Sequence, residues 1–374
     1  MVVAVAFLLS SHEYVYAQAA DDLPAGWFQI PKTTGRFKIG GYIKLDALYD
    51  LKPIGSPDYF DVSKIPTDSS EGQTAHLNAK ESRILMDFRS PSAVGELRGY
   101  VEGDFYGSGG AFRIRHAYAE VNEQLLAGQT WSTFMDENII PPTLDYEKPS
   151  AYAFVRLPQV RFKQSFGKSA FLALAIEDPT TTAQAPPVTG AFEHPLPDFA
   201  ARFRVTDSWG HIQLSGFAST LQYRDVTDVV DKVSLFGGNL SGQLHLFEKD
   251  KLSFQVIYGP GVAHYRGGLS AAVDSSGKLE ALTAMSITAS FEHYWSSAFS
   301  SVFVYNYGTD DNTAGQPVTA IHSLSYFAGN FLWHFAENAF MGLEYLHGMR
   351  ENINTAEGTA DRIQFSVQYS FNMK

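Results

Sequence analysis

The sequence predicts an all-β fold: a sixteen-stranded antiparallel transmembrane β-barrel. Three observations support this prediction. Apolar and polar residues alternate in segments of about ten residues, long and short connections alternate between these segments, and an export signal precedes them. The hydrophobic content of 45% and the mean hydropathy of -0.13 would also suit a soluble protein, so the pattern along the chain decides.

The last segment of the chain shows the alternation most clearly. Side chains on a strand point to opposite faces with a period of two, so one face can meet lipid while the other meets water. The apolar face consists of Ile363, Phe365, Val367, Tyr369 and Phe371, and the polar face consists of Arg362, Gln364, Ser366, Gln368 and Ser370.

Similar alternation recurs in sixteen segments, and an even number lets the first strand pair with the last. Closure is required in lipid, where the N–H and C=O groups of an edge strand would lack partners. Sixteen strands also leave a water-filled lumen. The segment 112–121 is imperfect, because Arg113 and Arg115 share a face with apolar residues. The predicted strands are 37–49, 77–90, 95–105, 112–121, 125–131, 151–165, 169–177, 198–207, 210–223, 233–247, 251–265, 279–293, 299–309, 321–335, 339–351 and 360–372.

The connections between these segments carry independent information. Outer-membrane barrels have short periplasmic turns and longer outer loops, and the connections here alternate in that way. One predicted outer connection, 106–111, is short and rich in glycine. The long connections are 50–76, 132–150, 178–197, 224–232, 266–278, 310–320 and 352–359.

The ends of the chain complete the predicted organisation. Residues 1–19 are predicted to be a cleaved signal peptide, because the apolar stretch from Val2 to Leu9 precedes Ala17-Gln18-Ala19, a small-x-small cleavage pattern. Residues 20–36 are then a short periplasmic segment, and residues 37–374 form a single barrel domain.

Composition restricts the possible functions. The absence of cysteine excludes thiolate catalysis and cysteine-based zinc sites, and the net charge of -12 argues against a nucleic-acid partner. No HExxH, GxSxG or phosphate-loop motif is present, so we predict no enzyme, no catalytic residues, no metal and no cofactor. The alternative to a transport protein is an outer-membrane barrel hydrolase or a secreted soluble β protein.

Three stretches resemble a known family. They are GRFKIGGYIKLDA at residues 35–47, FRIRHAYAE at 112–120 and AGQTWS at 127–132. They resemble the DcaP-like porins of the Gram-negative outer membrane, and the likeness extends over nearly the whole mature chain. The resemblance implies a homotrimer with one channel per subunit in outer-membrane lipid and lipopolysaccharide, and a third outer loop folded into the pore. It also implies small anions, including dicarboxylates, as permeant solutes.

Basic residues on the polar faces of early strands are the candidate pore-lining residues. An arginine on the lipid face near the membrane midplane costs about 2–4 kcal/mol, so each of these side chains is expected in the lumen. They would form a ladder that attracts carboxylates. The alternative is structural, with these cations paired to Glu81, Asp87, Glu96, Glu102 and Asp104. The candidates are Arg83, Arg98, Arg113, Arg115, Arg156, Arg161, Lys163, Arg202 and Arg204.

The long connection 132–150 is the predicted constriction loop. Its acidic residues Asp136, Glu137, Asp145 and Glu147 would face the arginines and set a transverse field across the pore. Alternatively, the loop lies over the mouth as an ordinary outer loop. The predicted function is therefore passive diffusion of small hydrophilic solutes with a preference for small anions such as dicarboxylates. A general, weakly selective porin is the alternative.

Overall fold

A computed structural model describes residues 23–180, 182–184 and 190–373. The predicted signal peptide, 1–19, and the first residues of the segment 20–36 lie outside the described residues. No helix in the described part of the chain is long and apolar enough to cross a membrane.

The described residues form a closed sixteen-stranded barrel, which confirms the predicted fold. Each strand pairs antiparallel with the next, and the first pairs with the last from Gly41 opposite Phe371 to Asp50 opposite Arg362. The strands are β1 Arg36–Asp50, β2 Thr74–Asn78 continued by Arg83–Ser92, β3 Gly95–Asp104, β4 Arg113–Val121, β5 Leu125–Trp131, β6 Arg156–Phe166, β7 Ala170–Glu177, β8 Asp198–Asp207, β9 Gly210–Arg224, β10 Val230–Leu246, β11 Asp250–Pro260, β12 Thr283–Tyr294, β13 Phe299–Asp310, β14 Ile321–Ala336, β15 Ala339–Asn352 and β16 Glu357–Phe371.

The two faces of β16 follow the predicted alternation. Ile363 and Phe365 are exposed on the outer face, whereas Arg362, Gln364 and Ser366 are buried on the inner face. The Arg362 guanidinium binds the Asp50 carboxylate of β1 at 2.6 Å, so an ion pair joins the first and last strands inside the barrel.

Short elements accompany the barrel. The strand Trp27–Gln29 pairs with the start of β1, so part of the segment 20–36 adds to the sheet. Ala191–Glu193 pairs with β9, while Ala183–Gln184, Ala271–Val273 and Leu279–Ala281 form a separate small sheet. Four 3-10 turns are described, at Val62–Lys64, Ser108–Gly110, Glu137–Ile139 and Val262–Arg266.

Three predicted strands run too far into loops. The segment 151–165 begins as a strand only at Arg156, the segment 251–265 ends at Pro260, and the segment 279–293 continues the barrel only from Thr283. In each case the apolar residues beyond the strand are buried against the inner wall, as for Ala153, Val262 and Leu279. Apolar character in these loops reflects packing inside the barrel and not a lipid-facing strand.

The irregular pattern in 112–121 has a structural cause. Ile114 is opposite Gly103 and His116 is opposite Glu102, so Arg115 is an extra residue in β4. Such a β-bulge changes which face the following residues occupy. Arg115 and His116 are both buried as a result.

Three of the outer loops that the structure describes in full fold into the barrel: the first loop, 51–73; the third loop, 132–155; and the sixth loop, 261–282. Phe60, Val62 and Ile65 of the first loop are fully buried against the inner faces of β13–β16. Phe134 of the third loop packs with Tyr265 of the sixth loop in a second apolar cluster. The inner wall on this side of the barrel is therefore covered by protein.

Candidate constriction of the channel

The third loop lies inside the barrel along the inner wall. Side chains of successive strands bind its backbone, so the wall itself fixes the path of the loop. The contacts are Ser215 Oγ to Phe134 O at 2.6 Å, Gln255 Oε1 to Ala153 N at 2.9 Å, Ser286 Oγ to Ala151 O at 2.6 Å, Asn306 Oδ1 to Ala151 N at 3.0 Å and Glu344 Oε2 to Leu144 N at 2.8 Å. They extend from β9 to β15, and Gln364 of β16 adds a hydrogen bond from its Nε2 to Leu144 O at 2.9 Å.

Two acidic residues of the loop hold its first arm against β8 and β9. Asp136 binds Arg204 at 2.6 Å and His211 at 2.8 Å, and Glu137 binds Arg202 at 2.8 Å. Burial alone would raise the pKa of Glu137, but Arg202 and Arg204 outweigh it and lower this pKa to about 2. The predicted pore residues Arg202 and Arg204 are thus bound to the loop.

The tip of the loop is held from two sides. The Glu344 carboxylate accepts hydrogen bonds from the backbone N–H groups of Leu144 and Asp145, each at 2.8 Å. The Asp145 carboxylate in turn accepts from Phe60 N of the first loop at 2.8 Å. Asp145 therefore connects the two inward loops and does not face the passage as a free charge.

Glu147 differs from the other three acids. It is half-buried, and no cation of the described residues lies within 4.0 Å of its carboxylate. Burial raises its pKa to about 8, with further contributions from Asp61 and Asp145, although Arg113 and Arg156 act in the opposite direction. The charge of Glu147 can therefore change near neutral pH, and burial also raises the pKa of Asp145 in the same loop.

The predicted arginines of β2–β4 lie on the inner wall beside carboxylates. Arg98 binds Asp87 and Glu120, each at 3.0 Å. Arg83 is more loosely placed, with its Nη atoms 3.9 Å from Glu81 and 3.7 Å from Glu102. Glu96 pairs outside this set, with Arg36 and Arg89.

Arg113 and Arg115 converge on one tyrosine. Arg113 binds Asp104 at 2.8 Å, and Arg115 binds Glu102 and Asp104, each at 2.9 Å. Both guanidinium groups also donate to the Tyr146 hydroxyl at the tip of the third loop, Arg115 at 3.1 Å. The Tyr146 hydroxyl therefore occupies an acceptor position between two guanidinium groups.

The cations of β6 have different surroundings. No carboxylate of the described residues lies within 4.0 Å of Arg156 or Arg161, whereas Lys163 is 3.7 Å from the exposed Glu123 in a periplasmic turn. The Arg156 guanidinium lies 4.1 Å from the centre of the Trp131 ring, and Arg161 Nη1 lies 3.5 Å from Trp131 O. Arg156 and Arg161 thus keep their positive charge without a contacting anion.

Sequence reasoning did not identify Tyr146, Trp131 or Glu344. Tyr146 lies between Asp145 and Glu147, and such an aromatic residue in an acidic loop opposite arginines is the signal that could have indicated it. In the described part of the chain, no group of three or more His, Asp or Glu side chains could hold a metal ion.

Comparison with protein families agrees with this geometry. A family model described as DcaP outer membrane protein matches residues 28–371. The chain belongs to the DcaP outer membrane protein family. The DcaP match and the barrel fold place the protein in the outer membrane as a porin-type channel. Comparison with curated proteins gives no match.

Solved structures show how widely this barrel is shared. The outer membrane channel DcaP of Acinetobacter baumannii has a TM-score of 0.83 and 23% identity, covering 92% of this chain and 99% of that one. An anion-selective porin from Comamonas acidovorans has a TM-score of 0.60 and 10% identity over 90% of this chain and 100% of the other. OmpF of Salmonella typhi, in complex with daunomycin, has a TM-score of 0.59 and 9% identity, covering 92% of this chain and 100% of that chain.

Proposed function

We propose that this DcaP family channel allows passive diffusion of small hydrophilic solutes across the outer membrane and prefers small anions such as dicarboxylates. The observation that carries the proposal is the pair Arg156 and Arg161, two cations on the inner wall that no carboxylate of the described residues contacts. Charged side chains that line a narrow wet pore determine which ions pass. Arginine stays charged and binds a carboxylate through two parallel hydrogen bonds.

The net charge of -12 does not oppose this preference. Many acidic side chains inside the barrel are already paired with cations, as Asp87 is with Arg98 and Asp104 with Arg113. Others are in outer loops, including the exposed Glu71 and Asp228. Because contacting ion pairs carry little net charge, we expect the unpaired cations of β6 to be the main positive charges that a solute meets at the constriction.

The Tyr146 hydroxyl supports a specific binding position. It accepts from Arg113 and Arg115, and Arg156 also interacts with it. A carboxylate is a stronger acceptor than a phenol because it is charged. A permeating carboxylate can therefore take the place of the Tyr146 hydroxyl between these guanidinium groups and then leave when the hydroxyl returns.

We also propose a homotrimer in outer-membrane lipid and lipopolysaccharide. The family supports this assembly, and one solved neighbour with 10% identity and a TM-score of 0.55 is described as a trimer form of OmpT from Vibrio cholerae. The outer face carries exposed apolar residues suited to lipid or to a second subunit, such as Ile43, Leu214 and Leu343. Size-exclusion chromatography in mild detergent with light scattering tests this assembly.

The reversal potential of purified channels in a planar bilayer with a tenfold KCl gradient tests the anion preference. We expect the sign of an anion-selective pore, and we expect a one-sided addition of succinate to interrupt the chloride current. A reversal potential near zero would instead support the general, weakly selective porin, which is favoured by the carboxylate partners of Arg98, Arg113 and Arg115. A cation-selective value contradicts the anion preference.

A further inference from the structure

A cavity at the outer end of the barrel is separate from the constriction. Its volume is about 700 Å³, and its lining is shared by the long connections on the outer side. Lys64 comes from the first loop, Thr182 from the fourth, Gly267 from the sixth, Gln316 from the seventh, and Arg350 from β15. A solute that enters from outside can meet this cavity, which we call the vestibule, before it reaches Arg156.

Arg350 is held in the vestibule by neutral acceptors. Its Nε donates to Asn352 Oδ1 at 2.8 Å, one Nη donates to Ser63 O at 2.7 Å, and the other donates to Thr319 O at 3.0 Å. A guanidinium has five N–H donors, so three of them fix its position and two remain for a ligand. No carboxylate of the described residues lies within 4.0 Å, although Asp61 attracts Arg350 at longer range.

Lys64 adds a second positive charge to the same cavity. Its side chain is exposed and has no ion pair or hydrogen bond among the described residues, while its backbone carbonyl is fixed by Gly55 N at 3.1 Å. Among the described residues that line the vestibule, Asp310 carries the one carboxylate, and Arg266 neutralises it. The vestibule therefore has an excess of positive charge and polar amide groups from Asn312 and Gln316.

The positive charge of the vestibule contrasts with the acidic outer loops around it. Glu71, Asp225, Asp228 and Asp231 lie in or beside the outer loops, so an approaching anion first meets negative charge. A recess with low-dielectric walls and one sign of charge concentrates ions of the opposite sign. The vestibule is a place where an anion that has passed the acidic loops gains favourable interactions.

We propose that the vestibule is an anion-binding site, in which Lys64 and Arg350 bind small dianions that carry carboxylate or phosphate oxygens. Arg350 supplies two N–H donors in a fixed orientation, and Lys64 supplies a mobile ammonium group that adapts to the second charged end of the ligand. Transfer from this site to Arg156 and Arg161 rests on the proposed anion pathway. Binding of a dianion in the vestibule does not depend on that pathway.

Inorganic phosphate at pH 7.5 is the probe. It is added to one side of a bilayer that contains the purified full-length channel, and the reduction of the chloride current is measured against phosphate concentration, first from one side and then from the other. We expect phosphate to block the chloride current at a lower concentration from one side of the bilayer than from the other. Lys64→Gln should raise the half-maximal concentration for that side about fivefold, the factor that corresponds to the loss of one partly solvated ion pair.

Two further variants guard against a folding defect. Arg350→Gln should have an effect similar to that of Lys64→Gln, whereas Arg350→Lys, which keeps the charge, should retain most of the phosphate block. Lys249→Gln is the matched control, because Lys249 is an exposed lysine in a periplasmic turn. Unchanged half-maximal concentrations in both Lys64→Gln and Arg350→Gln overturn the proposal.

The reversal potential separates this proposal from the anion preference. If wild-type channels are not anion-selective but phosphate block still depends on Lys64, the proposed pathway fails and the vestibule site stands. If wild-type channels are anion-selective and Lys64→Gln changes nothing, the vestibule site fails alone.

Discussion

The Arg156 guanidinium stacks 4.1 Å from the centre of the Trp131 ring. An aromatic face attracts a cation and holds it in place without neutralising its charge, unlike the carboxylates that bind Arg98, Arg113 and Arg115. The guanidinium also interacts with the Tyr146 hydroxyl, and no carboxylate of the described residues lies within 4.0 Å of it. This relationship distinguishes Arg156 from most other basic residues of the inner wall.

The first prediction concerns the unpaired cations of β6. The double variant Arg156→Ala with Arg161→Ala should reduce the anion-to-cation permeability ratio about thirtyfold, since each unit charge roughly 8 Å away in water contributes ~0.5 kcal/mol in favour of the anion and as much against the cation. Reversal potentials in a KCl gradient measure the ratio. Arg224→Ala is the control, because Arg224 lies at the outer end of β9 and is paired with Glu193. An unchanged ratio would place the selectivity filter elsewhere.

The second prediction concerns the Tyr146 hydroxyl. Tyr146→Phe removes the acceptor shared by Arg113 and Arg115, so a dicarboxylate should bind these guanidinium groups without competition. We expect its residence time to increase about fivefold, which corresponds to one net hydrogen bond of ~1 kcal/mol. Current interruptions caused by succinate report the residence time. Tyr258→Phe, on the lipid-facing surface, should leave it unchanged. A shorter residence time in Tyr146→Phe would contradict competition.

The third prediction concerns pH. Because the pKa of Glu147 is raised to about 8, this side chain is neutral at pH 6 and becomes negative as the pH rises through 8. The anion preference should therefore fall between pH 7 and pH 9. Because the pKa of Glu147 in the folded protein lies above the ordinary value of 4.5, this residue contributes stability that is fully present below about pH 4.5 and is lost as the pH rises through 8.

Glu147→Gln separates this effect from other titrating groups. The variant should keep a high anion preference at pH 9 and should show a flatter dependence of the reversal potential on pH. If its pH profile matches that of the wild type, another group is responsible.

The fourth prediction concerns the packing of the first loop against the inner wall of the barrel. A methyl group added at Gly348 would meet atoms of Phe60, Val62 and Ile65 at 2.9 Å. Gly348→Ala should therefore destabilise the barrel by about 1–3 kcal/mol, the usual cost of overpacking. Thermal unfolding in detergent measures the change.

Gly99→Ala is a matched control for this substitution, because the added methyl group would lie 3.8 Å from Phe88. An equal loss of stability in Gly99→Ala and Gly348→Ala would show that the contact with the first loop is not the cause.

The barrel wall could be predicted because its physical basis is local. Each strand must show lipid an apolar face, so Ile363 and Phe365 of β16 reveal their orientation in the sequence itself. The closure of β1 on β16 follows from the even number of strands. The register between β3 and β4 could not be derived in this way, since the bulge at Arg115 shifts the pairing by one residue. The pairing of Arg113 and Arg115 with Asp104 depends on that register.

The inward first loop was not predicted, although the sequence contains a signal for it. In β13 the inward Val302 and Val304 alternate with the outward Phe303 and Tyr305, so both faces are apolar. A strand that is apolar on both faces is buried on both sides. Such a strand in a barrel with a wet lumen requires a protein segment on its inner face. The selection of Phe60, Val62 and Ile65 as that segment depends on long-range packing.

The apolar inner surface of β13–β16 that the first loop covers limits how this channel can be enlarged. Deletion of residues 51–73 would expose the buried side chains of Val302, Val304, Leu324 and Leu346 on the inner wall. Because such an apolar surface dewets, water would not fill the space that the loop had occupied. A shortened chain would then have a dry apolar patch on the inner faces of β13–β16 and a greater tendency to aggregate. A related protein with a wider pore would need polar residues on the inner faces of β13–β16 as well as a shorter first loop.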